Sequence, residues 1–121
     1  MATTVIAVIG LFFFAMGLYG LAAPAALAAP FNLPVQTPES RSEVRAVYGG
    51  FGIAMGAVLG AAALDLGDIR TGAVVTVGLA LLGMAAGRLV SRLLDASVRF
   101  YPIWFYFVVE LLAGGVLLLA A

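Results

Sequence analysis

Hydrophobic positions in this chain do not alternate with polar ones; they run on without interruption. Four apolar stretches, at about 3–23, 44–64, 69–94 and 101–120, are separated by short clusters of charge, proline and glycine. Each is close to the roughly 20 residues a helix needs to cross a hydrocarbon core of about 30 Å. The stretches are rich in Ala, Gly and Leu and lack the period-two pattern of a membrane barrel, so the predicted elements are helices. The predicted fold is all-α, a polytopic membrane four-helix bundle forming one domain over 1–121.

The boundaries follow from the punctuation. The first stretch, Thr3 to Ala23, carries no charge. The second begins after Ser40-Arg41-Ser42-Glu43 and stops at Asp65-Leu66-Gly67-Asp68; the third has Arg88 and Arg92 near its end, and the fourth is broken only by Glu110. The connection at 24–43 contains Pro24, Pro30, Pro34 and Pro38, a spacing that forbids one regular helix across it and predicts an interfacial surface loop. Glu39, Ser40 and Ser42 read as a helix start, with Ser40 and Glu43 at capping-box spacing. The other two connections are short, so consecutive spans are expected to pack as antiparallel neighbours. Ala26-Leu27-Ala28 resembles a signal-peptide cleavage site, but no positive region precedes the apolar run and the run is as long as a true span, so it is read as retained.

Composition narrows the chemistry. Of 121 residues, 64% are hydrophobic and 10% charged, where an ordinary soluble domain has roughly 25% charged. A domain this small keeps much of its surface exposed, so its apolar surface is expected to face lipid. Six basic residues balance six acidic ones, leaving no field for nucleic acid. With no Cys and no His, disulfides, thiol redox chemistry and the usual ligands for zinc or haem are excluded, and so is the usual neutral-pH general base. No metal site and no cofactor is expected, and no enzymatic activity, because no nucleophile accompanies Glu110.

Polar residues inside the apolar stretches are the candidates for function. Glu110 falls about nine residues into the fourth span, near the bilayer midplane, so it must be protonated, paired or in a wet cavity. Arg45 and Arg88 enter from the same side, and an Arg88 to Glu110 pair is within reach of a bent arginine stem. Tyr19 and Tyr48 arrive at similar depth as hydroxyl donors. This set, Arg45, Tyr48, Arg88, Glu110 and Tyr19, reads either as a network fixing helix register or as a pocket for an amphipathic ligand, a lipid or a quinone. Arg92 and Asp95 are placed to pair near the interface, and the aromatic run from Phe100 to Phe107 reads as an interfacial belt. Gly49, Gly52, Gly56 and Gly60 on the second span, with Gly83 and Gly87 on the third, have the spacing of close helix contacts. The arginine count places the connections at 24–43 and 95–100 on the cytoplasmic side.

The Pro-rich first connection, Arg45-Ala46-Val47-Tyr48-Gly49-Gly50 leading into Gly52 and Gly56, Gly87-Arg88 with Ser91, and the glutamate of the fourth span together resemble a family of small bacterial four-helix integral membrane proteins catalogued as a domain of unknown function. That family is distantly similar to the DoxX-like membrane proteins. The resemblance covers nearly the whole chain and implies that Arg45, Tyr48, Gly49, Arg88 and Glu110 occupy characteristic positions. It brings no activity with it. The resemblance to DoxX-like proteins implies a link to partners of quinone-linked oxidoreductases, although this chain has no cysteine or histidine with which to carry electrons itself.

The expected function is that of a small protein of the bacterial inner membrane without intrinsic catalysis, an accessory or assembly subunit of a larger membrane complex. Its expected partners are membrane lipids, other membrane-protein subunits or further copies of itself. The alternative is a protein that binds or transports a lipid or quinone through the intramembrane Arg/Glu pocket.

Overall fold

A computed structural model describes all residues, 1–121. Four helices are long and apolar enough to cross a membrane: α1 (Ala2–Ala22), α3 (Pro38–Ala63), α4 (Arg70–Leu94) and α5 (Phe100–Ala120). A short helix, α2 (Pro24–Ala28), and a single 3₁₀ turn over Ala29–Phe31 lie between the first two. The all-α membrane bundle expected from the hydrophobic pattern is the architecture found, and consecutive spanning helices are packing neighbours.

The prolines of the first connection start helices rather than only preventing them. Pro24 stands at the first position of α2, and Ala23 before it leaves the helical region, as a residue preceding proline tends to. Pro38 opens α3 in the same way. The helix start expected at Ser40 therefore lies three residues earlier. Thr37 is the N-cap: the Ser40 amide donates to Thr37 Oγ1 at 3.0 Å, and the Thr37 amide donates to Ser40 Oγ at 3.0 Å. The surface loop expected over 24–43 shrinks accordingly to the stretch between Phe31 and Thr37. Between α3 and α4, Asp65, Gly67 and Asp68 take positive φ, which reverses the chain in a few residues. At the start of α5, Tyr101 is extended and the Tyr101-Pro102 peptide is cis.

Two helix pairs pack most extensively, α1 with α3 and α4 with α5. In the first pair Gly10, Gly17 and Gly20 face Gly49, Gly52 and Gly56, so the two backbones touch. A methyl group at Gly17 would lie 2.5 Å from the Ile53 amide nitrogen, and one at Gly56 would lie 2.8 Å from the Gly10 carbonyl oxygen. Packing this close compensates for the weak hydrophobic drive between helices in lipid. In the second pair Gly78 and Gly114 meet, each with the other's carbonyl oxygen against its α-carbon face. Three glycines expected at helix contacts are elsewhere. Gly60, Gly83 and Gly87 have open space where a side chain would be, because the helix faces they occupy point out of the bundle.

Because the helices alternate in direction, the bundle has two distinct ends. One end, formed by the start of α1, the end of α3, the start of α4 and the end of α5, holds the apolar core around Ile6, Leu59, Val74 and Leu117, all fully buried. The other, here the loop end, has a small apolar cluster of Leu27, Ala28, Val35 and Val44 that seats α2 and the loop against α3. The ends are tied by arginines. At the core end Arg70 donates to the Ala62 and Ala63 carbonyls at 2.9 and 2.6 Å and to Thr3 Oγ1 at 2.9 Å. At the loop end Arg45 Nε donates to the Leu21 carbonyl at 3.0 Å. Both guanidinium groups thus meet carbonyl groups at helix C-termini, where the helix dipole favours a cation.

Candidate functional site

Glu110 is the central residue of the Phe100–Ala120 span. Its carboxylate is the one buried charged group in the protein. An acid at that depth must find a cation or keep its proton, and α4 supplies the cation. Arg88 lies six residues before the end of α4, about 9 Å down its axis. Its stem reaches across to α5, where Nε donates to Glu110 Oε1 at 2.7 Å and Nη2 donates to Glu110 Oε2 at 2.8 Å. The pair is bidentate, the arrangement in which a planar guanidinium matches a carboxylate best. Its members are unequally covered, with side-chain exposures of 20% for Arg88 and 5% for Glu110.

Aromatic rings shield the exposed side of the pair. The Arg88 guanidinium carbon lies 5.9 Å from the ring centres of both Phe31 and Tyr106, within cation–π range. Those two rings are themselves in contact, with centres 5.4 Å apart. Phe31 comes from the turn after α2, so the first connection covers an ion pair formed between the last two spans. The aromatic run of α5 goes further than a belt at the membrane surface. Tyr106 turns inward onto Arg88, while Tyr101 and Phe105 pack around it.

Of the five residues singled out in the sequence, Arg88 and Glu110 are joined directly and the other three are not joined to them. Arg45 is engaged with the end of α1, because a π-helical turn over Arg45–Gly50 directs it there while seating Gly49 against Gly20 and Leu21. Tyr48 and Tyr19 are exposed and make no side-chain hydrogen bond. The expected Arg92 to Asp95 pair is not formed: Asp95 is extended and ends the helix, which carries its side chain away from the last turn of α4. No buried side-chain polar atom is left unpartnered, so the carboxylate at the midplane is satisfied by the pair itself. One contributor was missed by sequence reasoning: Phe31 lies outside every apolar stretch and no local pattern links it to Arg88.

A family model described as a domain of unknown function, DUF4345, matches residues 1–121, and the chain belongs to that family. No curated protein and no solved structure matches it.

Proposed function

We propose that this multi-pass membrane protein acts without intrinsic catalysis, as an accessory or assembly subunit that binds other transmembrane helices through the outer face of α4. One observation carries the reading. Gly72, Thr76, Ala80, Gly83 and Gly87 recur at intervals of four, four, three and four residues, which places them on one helical face, and all five are exposed. Thr76 satisfies its own hydroxyl by donating to the Gly72 carbonyl at 2.8 Å, so the strip asks for shape rather than for a hydrogen bond. Bulky Leu79 and Met84 are exposed on α4 beside the strip, and α1 and α5 expose Leu11, Phe12, Leu112 and Leu119, as suits a surface solvated by acyl chains. Small residues are what membrane helices use to approach one another, and the rest of this bundle already uses them so.

In this reading the protein resides in a bacterial inner membrane, with 24–43 and 95–100 on the cytoplasmic side. That orientation is favoured by Arg41, Arg45, Arg88, Arg92 and Arg99, all at the loop end, against Arg70 alone at the other. Association with a larger, quinone-linked complex, which a resemblance to DoxX-like proteins implies, belongs to the same proposal. The test uses Gly83→Leu and Gly87→Leu, which meet open space inside the monomer. Extraction of native membranes with mild detergent should give the wild type a species of higher mass than the 12.4 kDa chain, and both variants should fold and insert normally but lose it. A wild-type chain that is monomeric after the mildest extraction, with no cross-linked partner, would falsify the proposal.

A further inference from the structure

A cavity of about 110 Å³ opens at the loop end between the last turns of α4 and the first turn of α5. Arg88, Ser91, Arg92 and Trp104 line it, together with the apolar side chains of Ala96, Val98 and Ile103. We propose that this cavity binds a phosphate oxyanion. The polar groups around it can all donate. Arg88 has given Nε and Nη2 to Glu110, but its Nη1 has no acceptor in the protein. Arg92, one turn later, makes neither an ion pair nor a hydrogen bond, and the Ser91 hydroxyl and Trp104 indole N–H have no protein acceptor either. No carboxylate lines the cavity. Two arginines stand against the single Glu110 carboxylate behind them, which leaves one uncompensated positive charge, the complement of a phosphodiester. Guanidinium groups are well matched to phosphate oxygens.

The depth of the site suits the headgroup zone. At 25 residues α4 is about 37 Å long against a hydrocarbon core of about 30 Å, so its last turn, with Arg92, lies beyond the core boundary. Trp104 stands at the matching level of α5. A lipid phosphate and free phosphate share the chemistry, and they are separable.

The full chain is placed in nanodiscs of phosphatidylcholine containing a minor share of phosphatidylglycerol, and the lipids that remain bound are counted by native mass spectrometry. Phosphatidylglycerol should be enriched on the wild type, and the enrichment should fall about ten-fold in Arg92→Gln, the loss expected for a charge-assisted hydrogen bond. Ser91→Ala and Trp104→Phe, which keep the charge, should each lower it about three-fold. Arg45→Gln removes a cation from the same end but outside the cavity and should leave it unchanged. In a second arm, inorganic phosphate is titrated onto the protein in pure phosphatidylcholine nanodiscs and followed by phosphorus NMR. An Arg92-dependent response there alone assigns the site to soluble phosphate. Helix content by circular dichroism identifies any variant that fails to fold, in which case the two uncharged-donor variants decide. Equal lipid enrichment in the wild type and all folded cavity variants, with no Arg92-dependent phosphate response, overturns the proposal.

Discussion

The two ends of the bundle are closed by different physics. At the core end Ile6, Leu59, Val74 and Leu117 from four helices meet with no exposed surface, and the one cation present, Arg70, is spent on backbone carbonyls. At the loop end the helices enclose a charged pair, aromatic rings and a cavity lined with donors. Dispersion contacts are many, weak and indifferent to what lies beyond them. An ion pair in an apolar setting is a single strong constraint whose loss is costly, because each partner then stands alone. The comparison separates many distributed packing contacts at the core end from one concentrated polar constraint at the loop end, beside the cavity proposed to bind phosphate.

The sharpest way to break this contrast is to remove one charge. Glu110→Ala leaves Arg88, 20% exposed, without its counter-ion in an apolar setting and should cost about 3 kcal/mol in a reversible unfolding titration in mixed micelles. The double replacement Arg88→Met with Glu110→Leu should recover most of that loss, since an apolar pair of similar volume needs no compensation. If the single and double variants are equally destabilised, the pair is not the constraint described. A smaller effect is expected at the other end. Leu59→Ala opens a void in the core, and with lipid rather than water as the reference the loss is mainly of packing, about 2 kcal/mol by the same titration. Smaller again is Arg70→Gln, which removes a charged donor from the end of α3. It should cost about 1 kcal/mol and appear as faster hydrogen exchange at the amides of the turn from Leu64 to Ile69, with the core unaffected.

How far these features could be read in advance depended on whether the cause was local. Span number and limits were legible because hydrocarbon thickness fixes the length of an apolar run; α1, α4 and α5 lie within a residue or so of the expected limits. The start of α3 was misplaced because two overlapping caps were available, at Thr37 and Ser40, and Pro38 decides between them by preferring the first helical position. The Arg88 to Glu110 pair was legible too, since a midplane carboxylate leaves few options and one arginine lay within reach. Glycine spacing was a poorer guide. It finds Gly52 and Gly56, but says equally that Gly83 and Gly87 touch a helix, because spacing reveals a face without revealing what covers it. Conversely, Gly78 and Gly114 form a close contact although neither has a small residue four positions away. Phe31 above Arg88 was beyond any local pattern. Its position depends on how α2 folds back over the bundle, and that is settled by Leu27 and Ala28 packing against Val35 and Val44.

The Arg88 and Glu110 charges are opposite, equal and separated by hydrogen-bond distances of 2.7 and 2.8 Å. A transmembrane voltage does work on net charge displaced through its field, about 2.3 kcal/mol per elementary charge for each 100 mV. A pair that moves together presents no net charge to that field. The polar centre of this protein is therefore electrically silent: shifts of α4 and α5 that keep the pair closed should carry no gating charge from Arg88 and Glu110.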